Sequence, residues 1–360
     1  MTDRDRPSET PPTLIPTRWV GPLRVSGDAI TADEPFAEIS VPLATYETPL
    51  WPSVGRGASI SREIEGGIRT VVLGERMTRS VIFVADGAVL ADSAARTIRA
   101  RLGELQEVTS AGSLHAQLLE AHTEVVGNLL FVRFAFLTGD ASGHNMVTKS
   151  ADALMERILS WGLGIDYGSI SGNFCSDKKA TAVNGILGRG RNVVAEIVLP
   201  HEVVERRLRS SARQIADLVV RKNLVGSTIA GAIRSANAHY ANMLLAFYLA
   251  TGQDAANIVE GSQGITYAEE RPDGLYFSCT LPHLIVGTVG NGKHLEHVNV
   301  NLDRLGCREE REPGANARRL AALMAATVLC GELSLLAAQT NPGELMAAHL
   351  LMERKEKPSA

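Results

Sequence analysis

Cysteine is scarce in this chain: Cys175, Cys279, Cys307 and Cys330 are four thiols in 360 residues, and no two form a Cys-x-x-Cys pair. That spacing excludes a zinc ribbon and a disulfide framework, and it points to a reducing, cytoplasmic compartment. No cluster of residues has metal-ligand spacing, so no metal is expected. Excess charge of either sign is also missing. A net charge of −4 argues against general nucleic-acid binding, so an anionic ligand would need a local basic pocket. The Gly-x-Gly-x-x-Gly dinucleotide fingerprint is absent. Two apolar runs, 241–251 and 320–339, do not read as membrane spans. The first is too short, and the second carries Glu332 near its middle, which is costly in lipid. Both are expected as core helices. Residues 1–13 are polar and proline-rich, lack the apolar core of a signal peptide, and are expected to form a disordered tail.

What the chain does have is a short charged segment, Ser171-Gly-Asn-Phe-Cys-Ser-Asp-Lys-Lys, placing Ser171, Asp177, Lys178 and Lys179 together. Adjacent lysines beside an aspartate suit anionic groups and an oxygen gaining negative charge. Composition alone reads it as a solvated turn. Its place between an apolar helix pattern ending near Trp161 and a strand-like run at 193–199 favours a site.

The rest of the chain reads as mixed secondary structure. Residues 20–79 show strands and turns, with a half-buried strand at 36–43. A strand at 80–84 precedes a helix over 92–102, a helical stretch near 114–122 and a strand at 128–137. Then Thr138-Gly-Asp-Ala-Ser-Gly-His-Asn leads into an amphipathic helix, with Met146, Val147, Ala151, Leu154 and Ile158 at helical spacing. A strand, a glycine turn and a helix start together make a phosphate-binding arrangement, since a helix N-terminus offers free N–H groups. Beyond it, helices are expected over 201–222 and 226–251. The second is rich in small residues and is expected at the centre of its domain. His239 on it reads as a satisfied core residue. Strands at 275–281 and 284–289 flank further turns. A buried helix over 316–339 precedes a terminal segment carrying His349.

Several segments together resemble the 3-hydroxy-3-methylglutaryl-CoA reductase family. They are Ala-Thr-Tyr-Glu at 44–47, Met-Thr-Arg at 77–79, Gly-Asp-Ala-Ser-Gly-His-Asn-Met at 139–146 and the lysine loop. Lys-Asn-Leu-Val-Gly-Ser at 222–227, Asn-Ala-His at 237–239, Gly-Gln-Asp-Ala-Ala at 252–256, Gly-Thr-Val-Gly at 287–290 and Gly-Glu-Leu-Ser-Leu at 331–335 follow in the family's order. The resemblance runs from roughly residue 20 to residue 354. The chain departs from the family's pattern at Thr48, Gly55, Ser142, His144 and Asn291, and it lacks an N-terminal Glu-Asn-Val-Ile-Gly segment.

The resemblance implies an α+β fold. A large, mostly helical thioester domain (14–79 and 169–360) would be built around a central helix. A small ferredoxin-like dinucleotide domain (80–168) would be inserted into it. It implies reduction of 3-hydroxy-3-methylglutaryl-CoA to mevalonate and CoA with two hydrides. NADPH is the default coenzyme and NADH the alternative, in a homodimer or dimer-based oligomer. The catalytic residues it implies are Glu47 as acid, Lys178 at the oxyanion, Asp254 linking those two, and His349 protonating the departing thiolate. Substrate contacts would come from Arg79, Ser171, Asp177, Lys179, Lys222 and Asn242. Coenzyme contacts would come from Ser113, Asp140, Ser142, Gly143, His144, Asn145, Val289 and Gly290. The arginine that relatives pair with the serine matched by Ser113 is Leu114 here, so Arg133, His115 or His144 would have to supply charge to a 2′-phosphate. Two other outcomes stay open: a divergent reductase of another acyl-CoA, and a catalytically silent relative that binds CoA or a nucleotide.

Overall fold

A computed structural model of the chain describes residues 13–31 and 34–353. Of the expected tail, 1–13, all but Thr13 lies outside those residues. The organising element is one long strand, β3, Ile68–Ala85. At about 3.3 Å per residue its 18 residues span roughly 60 Å, enough to serve two neighbourhoods. Its first part pairs with β7 (Gly190–Pro200), from Arg69 opposite Glu196 to Arg76 opposite Gly190. Its second part pairs with β5 (Leu129–Leu137), from Met77 opposite Phe136 to Val84 opposite Leu129. The register with β7 shifts between Val72 and Gly74, so the handover between neighbourhoods begins at a glycine.

Around the first part lies the sheet order β2 (Ala37–Ala44), β1 (Thr17–Ser26), β3, β7, β9 (Gly274–Leu284), β8 (Ile265–Arg271). Around the second lie β4 (Gln117–Val126), β5, β3 and β6 (Ile165–Ser169), all antiparallel neighbours. Helices α2 (Ala88–Ala100) and α3 (Leu102–Gly112) connect β3 to β4, and α4 (His144–Ser160) connects β5 to β6. Each region has its own apolar core. In the larger one the helix Ala315–Gln339 is buried on nearly every side, as an all-round apolar helix must be. It is the one helix among the described residues long and apolar enough to cross a membrane, and 94% of its most apolar 18 residues are buried inside the protein. Helix α1 (Leu50–Ser61) lies against it at Gly57, where a Cβ would fall 2.4 Å from the Cys330 carbonyl oxygen. A side chain there would push the two helices apart.

The structure corrects several expectations, including the helix over 201–222, which breaks at the left-handed Arg209, and the strand over 284–289, since β9 ends at Leu284. The large region is not mostly helical, because six strands form its scaffold. The helix expected over 226–251 is broken. One helical segment ends at Ile229, and the helix Tyr240–Ala250 begins after a loop holding Gly231 at φ +71° and Arg234 at φ +47°. The second helix restarts where the Asn237 side chain accepts from the Tyr240 N–H. The helix buried on nearly every side is Ala315–Gln339 instead. Residues 114–122 are mostly strand, since β4 closes a hairpin on β5. Finally, α1 interrupts the strands of 20–79, with Pro49 at its start.

Candidate active site

The lysine loop lies between β6 and β7, and its backbone is unusual. Asn173, Ser176 and Lys178 all take the left-handed conformation, at φ +56°, +51° and +55°. Non-glycine residues adopt it only where surroundings hold them, and here buried groups do so. Gly172 and Cys175 donate their N–H groups to Ser80, at 2.9 and 3.0 Å. The guanidinium of Arg133 donates to the carbonyls of Phe174 and Gly188. Arg189, 1% exposed, donates to Asp177 (2.6 Å), Glu260 (3.0 Å) and the Thr78 carbonyl (2.8 Å). Glu260 is itself fully buried. Burial pushes its carboxyl pKa up, against the pull of Arg189 and a hydrogen bond from the Lys178 backbone.

This frame aims Lys178 at Asp254, with Nζ 2.7 Å from Oδ2. Asp254 follows the Tyr240–Ala250 helix and the left-handed Gly252, and its other oxygen accepts from the Ala256 N–H at 3.0 Å. The bond to Asp254 raises the Lys178 pKa and keeps the ammonium charged. Burial would raise the Asp254 pKa, yet hydrogen bonds from Lys178 and Ala256 outweigh it and hold the carboxyl low. Asp177 is likewise held well below the usual carboxylate range. Burial opposes this, and His144 and Arg189 overcome it.

Lys178 and Asp254 line a cleft of about 420 Å³ that also takes in Arg79, Asp177, Ser142, Gly143, His144, Asn145, Val289 and Gly290. Two loops from different parts of the fold meet there. Ala141 bridges to Val289, and Gly287 packs so closely that a Cβ would lie 2.4 Å from the Ser142 nitrogen. Gly143, at φ +93°, precedes the first turn of α4, and no side chain caps that turn. The first turn lines the cleft, and the free N–H groups of such a turn make a fitting seat for an anionic group. His144 spans the gap, its Nε2 3.5 Å from Asp177.

The other sequence-derived candidates lie elsewhere. Glu47 sits in the turn between β2 and α1 and accepts from Asn242 Nδ2 at 2.6 Å. It lines a separate cavity of about 200 Å³ with Arg56, His239 and Ser334. Within one chain, therefore, Asp254 holds Lys178 but not Glu47, and the expected three-residue network is not assembled. His239 is not merely a core residue. It lines the Glu47 cavity while its Nδ1 meets the buried Glu332 at 2.8 Å. Lys222, on a π-helical turn, donates to Gln339 at 2.7 Å, and burial lowers its pKa. Ser171 and Lys179 are exposed on the lysine loop. Ser113 accepts from the Ala116 N–H and lies outside the cleft lining. Arg133 is fully buried beneath the lysine loop, so it cannot serve a phosphate. His349 lies on the helix Glu344–Glu353, but its side chain is outside the described residues. Asp140 faces away from the cleft: its oxygens accept from the Gly314 and Ala317 N–H groups at the start of the core helix. Replacing it with alanine should cost about 1 kcal/mol of stability and leave coenzyme affinity unchanged, as thermal unfolding and a binding titration would show.

Comparison with known proteins decides the kinship. A family model described as hydroxymethylglutaryl-coenzyme A reductase matches residues 13–354. The chain belongs to that family. Among curated members of the reductase family, the Pyrococcus abyssi protein is 42% identical over 344 residues, covering 95% of this chain and 81% of the relative. The Methanocaldococcus jannaschii protein is 39% identical over 341 residues, covering 93% and 80%. The fold also resembles the solved class II reductase of Streptococcus pneumoniae bound to NADPH. That likeness has a TM-score of 0.70 at 20% identity, covering 94% of this chain and 89% of the other.

Proposed function

We propose that the chain reduces 3-hydroxy-3-methylglutaryl-CoA to mevalonate and CoA with two hydrides from NADPH, NADH being the weaker alternative. Family membership across the chain supports the reaction, and one observation carries the chemistry: the Lys178–Asp254 pair at 2.7 Å in a cleft shared with the uncapped start of α4. The reduced nicotinamide, when bound, supplies the hydrides. The residues of the chain do the rest. Lys178 stabilises the negative charge on the thioester oxygen, and Asp254 keeps it placed and charged. Glu47, hydrogen-bonded to Asn242, supplies a proton to that oxygen. His349 protonates the departing thiolate, being of the residue type that titrates in the needed range. Arg79, with Ser171, Asp177, Lys179 and Lys222, receives the polar and anionic groups of the substrate.

Residues 80–168 read as the inserted ferredoxin-like coenzyme unit, because β4–β5–β3–β6 with α2, α3 and α4 has that fold's strand order. Residues 14–79 and 169–360 then hold the thioester. Four buried free thiols fit a cytoplasmic protein. Incubation with the thioester and each coenzyme should consume reduced nicotinamide and yield mevalonate by mass spectrometry. No turnover with either coenzyme would favour the silent relative, and turnover on another acyl-CoA alone would change the substrate.

A homodimer completes the site in this reading, with Glu47 of one subunit meeting Lys178 of the other. Two observations support it. The two residues lie in different cavities of one chain. The segment after Val219 exposes Val220, Leu224, Val225, Ile229 and Ile233, an apolar face of the kind a second copy covers. Glu47→Ala and Lys178→Ala, each inactive alone, should regain part of the activity when mixed under subunit exchange. A monomer in sedimentation at working concentration would end the idea.

A further inference from the structure

The cleft contains one cation for which the reaction has no use. Lys293 follows the Gly-Thr-Val-Gly turn and lines the cleft with Val289, Gly290 and Asn291. Its Nζ donates to the Gly252 carbonyl at 2.5 Å and lies 3.5 Å from the Asn291 carbonyl. No carboxylate among the described residues pairs with it. A half-buried ammonium held only by carbonyl dipoles is poorly compensated. Its backbone is fixed by a close approach, because Gly292, at φ +81°, leaves no room for a Cβ against the Gly252 oxygen. The anchor is therefore rigid and its charge is unspent.

We propose that Lys293 binds a phosphate oxyanion of the reduced nicotinamide dinucleotide, across the cleft from the start of α4. The assignment rests on the coenzyme reading above. It supplies the cation that Leu114, 95% exposed and apolar, and the buried Arg133 cannot. Two phosphates could be the partner, and the two coenzymes distinguish them: NADPH and NADH share the pyrophosphate, and only NADPH has the 2′-phosphate.

Burial also lowers the Lys293 pKa to about 8. The charge that attracts the anion is thus present below about pH 8 and is lost above it. The other charged or titratable groups lining the cleft are Arg79, His144, Asp177, Lys178, Arg189 and Asp254, so any pH effect must be assigned by substitution.

The test is direct binding of each coenzyme, followed by the fluorescence of the reduced nicotinamide, to the unsubstituted protein, Lys293→Met and Lys293→Arg. Losing one charge-assisted hydrogen bond predicts a Kd about 10–100-fold higher for Lys293→Met. Lys293→Arg should retain most of the affinity. Loss for both coenzymes assigns the pyrophosphate, and loss for NADPH alone assigns the 2′-phosphate. The affinity of the unsubstituted protein should fall between about pH 7 and about pH 9, and Lys293→Met should flatten that slope. Unchanged coenzyme affinity in Lys293→Met, or a loss confined to the thioester substrate, would overturn the assignment. Failure of the unsubstituted protein to bind either coenzyme would overturn the coenzyme reading and this assignment with it.

Discussion

Lys178→Ala should remove about 10²–10³-fold of kcat, the usual effect of deleting one group that stabilises a developing oxyanion. The protein should stay folded. The Lys178 side chain makes one ion pair, with Asp254, and both partners are more than a third exposed. Such a pair contributes little stability. The backbone adds no new cost. Lys178 already carries a Cβ at φ +55°, so alanine inherits the left-handed strain that the lysine bears. Lys178→Gly is the companion variant, with the same chemical loss and that strain relieved. Single-turnover hydride transfer and a thermal melt on both variants separate chemistry from folding. If either folded variant turns over near the normal rate, Lys178 is not the oxyanion group.

The sequence was most legible where local pattern and tertiary environment agree. Apolar, β-branched runs at 128–137 and 193–199 became β5 and β7 with little change of boundary. The core helix was legible almost to the residue, since Ala315–Gln339 is apolar all round. Residues 114–122 were not, because Leu118 and Ala121 fit helical spacing while the hairpin with β5 decides the outcome. The 226–251 stretch misled for the opposite reason. Its small residues, read as helix packing, instead permit a loop with Gly231 at positive φ.

In the site, the ordered motifs located Lys178, Asp254 and the cleft wall at 142–145. They could not locate the charges that hold the lysine loop. Arg189 meets Asp177 twelve residues away, Glu260 at 71 and Thr78 at 111. A buried ion pair has no sequence period, and its partners are brought together only by the tertiary fold. The single signal was an arginine between Gly188 and Gly190 at the start of a strand-like run. Asp140 shows the same limit. Its motif pointed to the coenzyme, while its carboxylate serves a helix start more than 170 residues later.

Arg189→Met should have the largest effect on stability. The guanidinium is 1% exposed and touches Asp177 and Glu260, the latter fully buried. Removing one partner of a buried pair leaves the other charge unpaired, at a cost of about 3–5 kcal/mol. The pH dependence has a definite sign. Burial already raises the Glu260 pKa against the pull of Arg189. Without that cation it rises further, so Glu260 destabilises the folded variant increasingly as pH climbs through the raised value. Asp177 is held low partly by Arg189, so in the parent it contributes stability above its ordinary pKa that disappears in acid. Both effects make the deficit of Arg189→Met greatest near neutral and alkaline pH and smaller as the solution is acidified. Turnover should fall as well, because the Lys178 N–H rests on Glu260. Thermal unfolding of parent and variant across pH reads the first effect, and kcat at a temperature where both are folded reads the second. A parent-like melting temperature at neutral pH, or a gap that does not change with pH, would mean that the Arg189 cluster does not carry the lysine loop.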